Sequence, residues 1–588
     1  MYGRTWKHSV CCGREVGVVV DPRRSPPETR AQDRDFVRQC SFAGLQPQLP
    51  LRWTTPPGIP DSPKKRYRSY YVHLGCMDLD DLRAWQHLSS FDLALRLVDF
   101  GGLRPVLARL LGWTSARGKV PFDPVSLFLL VSWQIVNGWT RAQTLRNLRD
   151  PRYADYARRF GFLNGDFPTE GGVRYFLTTL GKNSDAHGET VSVAVAKERT
   201  VDIAVQYLNY LLVGAAYLLL DAHLITPRAW QAALLCPDGQ IHDAASRMRC
   251  VFTRDGCYKP TSAEKPRSCP AKERDKRGCN CDTLTCAQVC RHAPIRDPEA
   301  RCVYYAGTNQ SRSTSPNAST NPTDKKTDNG ELRYGYRSLP LQFAEPKRRF
   351  SLVLLDDFMP ASAREENPAA ALLLQLARFY PDLIVDVVAG DAGFGYYAFL
   401  YACYTLGARR VVDLRADPSD HNKPQWTLRG YDDQGRPICP YGYALTANGF
   451  DAQRGRHKWF CGQACLKDKS PPVQLQDVAY PPQECPYQAP QHPHGMIVNV
   501  GETFADGSIR LARDVPVGTP TWKRLYHRAR NAAEDRNADF EHWGLKRLPV
   551  YGQPRGRALT ALADTWVNLT TLARLVREAT FASPTQLN

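Results

Sequence analysis

The sequence holds no apolar run of 18 or more residues, so nothing in it is long enough for a membrane-crossing helix. The opening residues, Met1-Tyr-Gly-Arg-Thr-Trp-Lys-His-Ser9, carry no apolar core of a signal peptide. There is no GxxxxGK[ST] loop and no HExxH, which argues against a P-loop NTPase and a zinc protease. Acids are in deficit: 59 Asp and Glu stand against 77 Lys and Arg, a net charge of +18. Such a surplus points to a polyanionic partner, with nucleic acid the usual one and a membrane surface the alternative. Without a leader, the 18 cysteines read as thiols or metal ligands in a reducing cytosol rather than as disulfides. The 588 residues, 43% of them hydrophobic, suffice for several globular cores.

What is present is organised around two acids. Leu211 to Leu220 is apolar and stops at Asp221, which reads as a doubly buried strand ending in a carboxylate. A second run, Leu383 to Gly390, ends at Asp391, followed by the tight turn Ala392-Gly-Phe-Gly395 and a helix over 396–406. A third acid, Glu534, lies on a C-terminal helix four residues after Arg530, so the two share a helix face. Two strand-end aspartates and a helical glutamate suit a pair of Mg²⁺ ions, which take oxygen ligands and stand about 3.5–4 Å apart in two-metal nucleases. Glu541, two turns beyond Glu534, shares its face, and Asp356 and Asp357 are rival acids at the end of another strand.

On Leu218-Leu-Leu-Asp221, Gly390-Asp-Ala-Gly-Phe394, and Arg530-x-x-x-Glu534 followed by Gly544-Leu-Lys-Arg-Leu-x-Val-x-Gly552, the chain resembles the DDE-type transposases of bacterial insertion sequences. The resemblance spans Leu74 to Phe581. One departure stands out: many relatives carry a lysine seven residues after the glutamate, where this chain has Glu541 and its nearest lysine is Lys546. The resemblance implies an α/β fold with a ribonuclease-H-like catalytic core, inserted zinc-binding or β-rich segments, and a preceding α-helical DNA-binding domain. It implies Asp221, Asp391 and Glu534 as holders of two Mg²⁺ ions (Mn²⁺ as substitute) that cut DNA at the element's ends and join 3′-ends to target DNA. Arg530 would bind a phosphate or orient Glu534, with a plain helix salt bridge to Glu534 as the simpler reading. It also implies a homodimer on DNA, with no membrane partner, in a prokaryotic cytoplasm at the nucleoid. A nuclease or resolvase without strand transfer, and a catalytically dead zinc-stabilised DNA-binding protein, remain the alternatives.

The rest of the chain divides around this core. Residues 1–75 hold 13 Lys and Arg, 6 Asp and Glu and nine prolines, and read as a mostly irregular basic arm. It ends in Lys64, Lys65, Arg66 and Arg68 interleaved with Tyr67, Tyr70 and Tyr71, suited to phosphates and stacking, or to a solvated tail. Residues 76–200 read as helical. Asp123-Pro124 opens one helix and Gly138 ends it; Thr140 and Gln143 form a capping box for the next, which leaves Arg141, Arg146 and Arg149 free. That pair fits a helix-turn-helix DNA reader or, equally, an ordinary packing domain. Thr169 caps a further helix over 171–180. The catalytic domain runs over 201–581, with insertions at about 227–330 and 418–515. The first holds Cys257, Cys269, Cys279, Cys281, Cys286, Cys290 and His292 without a clean CxxC pair. The second holds Cys439, Cys461, Cys465 and Cys485, four thiols suited to one structural Zn²⁺. Strands are expected over 334–343, 349–358, 408–414 and 501–515, and helices over 369–379 and 559–579.

Overall fold

A computed structural model of the chain describes residues 50–53, 66–75 and 82–581, apart from 114–119, 247–296, 306–330, 413–427, 468–484, 502–514 and some shorter breaks. Lys64, Lys65, the Cys257–His292 cluster and nearly all of the expected 501–515 strand lie outside the described residues. The fold is mixed α/β, as the sequence indicates.

The N-terminal part is helical: α1 (Ser90–Leu97), α2 (Arg104–Leu110), α3 (Pro124–Val136), α4 (Arg141–Arg149) and α5 (Glu170–Ala186). The expected caps are in place. Asp123 accepts from the Val125 amide, Thr140 from the Gln143 amide and Thr169 from the Gly172 amide, each satisfying a first-turn N–H. A hairpin follows, β1 (Glu189–Ala196) with β2 (Arg199–Val205), where helix was expected to continue. Val191, Val193, Ile203 and Val205 alternate with polar residues along both runs, the period-2 signature of a strand.

Then come α6 (Asn209–Asp221), β3 (Ala233–Pro237), β4 (Gln240–Asp243), β5 (Arg301–Tyr305), β6 (Glu331–Glu345), β7 (Phe350–Pro360), α7 (Glu366–Phe379), β8 (Val385–Gly390), α8 (Tyr397–Thr405) and β9 (Arg409–Val412). The main sheet runs β9-β8-β3-β6, with β4, β5 and β7 also paired to the long β6. β3, β8 and β9 are mutually parallel; β6 is antiparallel to β3. A separate three-stranded antiparallel sheet, β10 (Thr446–Asp451), β11 (Arg456–Phe460) and β12 (Ile497–Gly501), forms the second insertion. The chain ends in two long helices, α9 (Pro520–His542) and α10 (Gln553–Phe581).

The run Leu211–Leu220 is therefore helix, not strand. It is buried nearly all round, so its hydrophobicity shows no period, and its length favours helix over strand. α6 packs against β7 and α10. The first insertion also begins later than expected, because 227–243 supplies β3 and β4 to the main sheet.

α10 ties the N-terminal helices to the sheet. It packs on α1, α3, α5, α6 and β7, and Trp566 at its centre meets Phe91, Phe100 and Phe128. A boundary near residue 200 does not separate two cores; Gln48–Asn588 is one compact unit. The end of the expected basic arm also belongs to it. Ser69 and Tyr71 are buried against Asp123, which accepts from the Tyr71 amide while its own amide donates to Ser69.

Candidate active site

β3 and β4 follow one another along the same edge of β6, with Asp238-Gly239 between them opposite Leu339 and Pro340. Pro340 has no N–H to donate, so the ladder is weakest at this point, and the chain jogs there. Val388 of β8 pairs with Leu235 of β3 in parallel. Asp238 follows the last residue of β3 and Asp391 the last residue of β8, and the charge of Asp391 acts on Asp238.

The face these acids occupy follows from alternation. Leu234 and Cys236 of β3, and Val387 and Ala389 of β8, pack under α9 against Ala529 and Ala533. Asp238 and Asp391 continue those alternate positions. The two alanines let α9 lie close, and the long side chains beside them reach the acids. Arg530 donates to Asp238 Oδ1 at 2.5 Å, and Asn537 Nδ2 donates to Oδ2 at 3.0 Å. Asp391 also caps the turn after β8, accepting from the Gly393 amide at 2.8 Å.

A third carboxyl completes the cluster. Glu365, just before α7, rests on Gly239: a Cβ there would meet its Oε2 at 2.5 Å. Arg337 of β6 donates to Glu365. Burial pushes the Glu365 carboxyl up to about 7; Arg337 opposes this, and the charges of Asp391 and Asp238 add to it. Asp238 is also raised, by burial first, with Arg530 opposing and Asp391 reinforcing. Carboxyls raised by burial and by a neighbouring acid in this way leave room for an added cation. Among the described residues, no three His, Cys, Asp or Glu stand in an arrangement that could hold an ion, so the cluster is not a closed cage.

The sequence-derived residues fall as follows. Asp391 is in the cluster. Asp221 ends α6 and is not at a strand terminus. Tyr217, one turn before it, donates to Asp382, which precedes β8, so Asp221 lies toward the opposite end of that strand from Asp391. Asp238, not Asp221, is the acid just past the end of the strand paired with β8. It was hidden because β3 is only five residues long, carries no β-branched residue and ends in proline; the Asp-Gly pair after Ala-Leu-Leu-Cys-Pro was its signal. Arg530 pairs with Asp238 rather than Glu534. Glu534 is exposed, on the stripe of α9 that also carries Arg530 and Asn537. Glu541 pairs with Lys546 at 2.8 Å. Asp356, the rival acid, is fully buried and close to Asp564 of α10 and Arg536 of α9.

Four thiols gather in the insertion. Cys439, Cys461, Cys465 and Cys485 belong to one cluster with Tyr441, Tyr443, Leu445 and Met496. Their sulfurs accept backbone amides: Tyr441 to Cys439 at 3.4 Å, Gln463 to Cys461 at 3.4 Å and Met496 to Cys461 at 3.1 Å. Gly495, at φ 67°, leaves the Cys461 sulfur its space; a Cβ there would stand 2.0 Å from it. Burial pushes the Cys439 thiol up to about 11, and Cys461 and Cys465 add to the effect. Amide donors aimed at sulfurs suit thiolates bound to a cation, although as they stand these four thiols do not form a metal-holding group.

The expected DNA contacts are divided. Arg68 is paired with Asp166 and lies over Phe122, so part of its charge is neutralised within the fold. Arg66 and Arg146 are exposed. Arg149 donates to the carbonyls of Leu145 and Pro168. Compared with known proteins, the chain matches no family model and no curated protein.

Proposed function

We propose that the protein is a DNA transposase with a ribonuclease-H-like core, and that Asp238 and Asp391 form the centre of its active site. What supports this is the placing of two acids just past the carboxyl ends of adjacent parallel strands, under a helix that brings Arg530 and Asn537 to one of them. Ligands of open α/β sheets bind in that crevice, beyond the carboxyl ends of the strands. The net charge of +18 supports a nucleic-acid substrate.

Asp238 and Asp391 would hold divalent cations, with Glu534 on the neighbouring stripe of α9 as the third acid and Mg²⁺ as the ion, Mn²⁺ as substitute. When bound, such ions supply an activated water or 3′-hydroxyl and stabilise the leaving oxygen. The chain's own contribution is positioning. Asn537 fixes one oxygen of Asp238 and Arg530 balances its charge. Arg530 is also placed to turn from Asp238 to an incoming phosphate, a planar donor suited to it. Around this centre, α3 and α4 act as the DNA-reading pair, with Arg146 outward. Cys439, Cys461, Cys465 and Cys485 bind one structural Zn²⁺. The protein works as a homodimer on the element's ends.

The test compares Asp238→Asn, Asp391→Asn and Asp221→Asn in a Mg²⁺-dependent nicking and joining assay on DNA carrying the element's ends. The first two should lose cleavage by three orders of magnitude or more, roughly 4 kcal/mol of barrier, and still bind DNA. Asp221→Asn should cut normally. Full cleavage by Asp238→Asn would refute the assignment. Cleavage without joining in the unaltered protein would make it a nuclease.

A further inference from the structure

Three arginines from three helices gather in the N-terminal half with two acids nearby, Glu170 acting on Arg141 and Arg555 on Asp297, which leaves a surplus of positive charge. Arg141 is the first residue of α4, Arg174 lies on α5, and Arg555 lies in the first turn of α10. The helices are locked together. α5 packs on both α4 and α10. At Gly181 it touches the start of α10 so closely that a Cβ would stand 1.7 Å from the Pro554 carbonyl oxygen. Arg174 is seven residues before Gly181, two turns, and so projects from the α5 face that meets α10. Arg555 follows Pro554 directly.

The cluster lacks internal partners. Arg141 Nη1 is buried and makes no hydrogen bond. No hydrogen bond or ion pair is made by the side chains of Arg174 or Arg555 among the described residues. Burial, with Arg174 and Arg555, lowers the Arg141 guanidinium from its ordinary value; Glu170, at the start of α5, opposes them. Holding like charges together around an unsatisfied donor costs free energy, unless an anion joins them. Arg174 is exposed, as is Tyr175 beside it at 59%, so the cluster opens to solvent.

We propose that Arg141, Arg174 and Arg555 together grip the phosphodiester backbone of duplex DNA. This rests on the DNA reading above and deepens it. Arg141 then positions the duplex and reads no base, while Arg146 on the outer face of α4 remains the reader. Because Arg555 stands on α10, which packs on β7 of the main sheet, the grip couples the DNA directly to the catalytic layer.

The test measures duplex affinity of the full chain across about 50 to 300 mM KCl, for end-sequence and random duplexes. Arg174→Gln and Arg555→Gln should each flatten the log–log salt slope by about one and weaken both duplexes alike. Arg146→Ala should instead narrow the gap between the two duplexes. Thermal melting in inorganic phosphate separates the sources of the anion. Stabilisation by phosphate that Arg174→Gln removes, together with an unchanged DNA slope, would make this a small-anion pocket and overturn the proposal. An unchanged slope with no phosphate effect overturns it too, and leaves the cleavage reading standing. Absence of duplex binding at every salt concentration would overturn both.

Discussion

α9 carries two arginines six residues apart, and each meets an aspartate, yet the two pairs have opposite characters. Arg536 is sealed. It donates through Nε and Nη2 to both oxygens of Asp564 at 2.7 and 3.0 Å, through Nη1 to Gln240, and lies 3.6 Å over the Phe540 ring. Neither Arg536 nor Asp564 is exposed. Arg530 meets Asp238 at the rim of the sheet, through one nitrogen, with 24% of its side chain in solvent. A bidentate pair with every donor used fixes a helix and has nothing left to give a ligand. A pair made through one nitrogen, at the end of a strand, beside a second acid, can exchange partners. The same residue types thus serve as a bolt at one position and, in the function proposed above, as a site at the other, with geometry deciding between them.

The second carboxyl of the sealed pair makes the contrast sharper. Asp356 has no donor within reach of either oxygen. Burial, then the charge of Asp564, raises its carboxyl well above the usual range. Burial beside Asp564 therefore favours the neutral form of Asp356. The triad holds one net positive and one net negative charge, balanced without solvent.

The largest expected effect breaks the sealed pair. Arg536→Ala leaves Asp564 charged and buried, and should cost about 3–5 kcal/mol of stability, read by urea unfolding. Asp356→Asn, which keeps the shape and, like the neutral acid, carries no charge, should stay within about 1 kcal/mol. Arg530→Ala should cost no more than about 2 kcal/mol and instead slow cleavage on the order of 10²-fold. Equal losses of stability at the two arginines would erase the distinction.

The second effect is local to the insertion. Purified protein should contain one zinc per chain, and Cys461→Ser should remove it and open the β10–β12 sheet to protease, because metal binding there is folding free energy. Unchanged zinc content and melting would show that the four thiols only pack.

The sequence carried the parts of this fold that have a period. α9 carries Glu534 as expected and α10 begins six residues before the expected 559, while the β6–β7 hairpin and β8 with its terminal Asp391 stand within a few residues of where apolar spacing and end signals put them. The capped helices of the N-terminal half do as well, because Asp123-Pro124, Thr140 and Thr169 name their own starts. What failed was burial without a period. α6 is apolar on every side, so the pattern that would mark it as helix is absent, and its closing acid was taken for a strand end. The true strand is short and has no β-branched residue, inside a stretch that polar composition downstream makes look like insertion. Glu365 could not be foreseen, since it joins the site only through Gly239, 126 positions earlier in the chain.

A third measurement tests how closely the acids of the open site crowd. The folded-state Glu365 carboxyl is raised from 4.5 to about 7. The folded protein therefore binds more protons than the unfolded chain over that window. Its contribution to stability is complete below about pH 4.5 and is lost as pH rises through 7, on the order of 3 kcal/mol in all. Glu365→Gln should flatten the fall in urea midpoint across that range. An unaltered pH profile would place Glu365 outside the field of Asp238 and Asp391.

The smallest expected effect separates two glutamates of one helix stripe. Glu534 and Glu541 are seven residues apart, so both face the same way, about 10 Å apart along the axis. Arg530 and Asn537, which flank Glu534 by one turn on either side, both reach Asp238. Glu541 lies one turn past Asn537, toward the end of α9, and its carboxylate is taken by Lys546 in a pair that is more than half exposed on both sides. An exposed pair of that kind contributes about 0–0.5 kcal/mol. Glu541→Gln should therefore leave stability within about 0.5 kcal/mol and cleavage near the unaltered rate. Glu534→Gln should spare stability to the same degree, because its side chain is also exposed, yet stop Mg²⁺-dependent cleavage. Stability cannot distinguish the two residues and only the nicking rate can. The reverse ranking in that assay would move the third acid to Glu541, and equal silence at both would leave Glu365 as the third carboxylate beside Asp238 and Asp391.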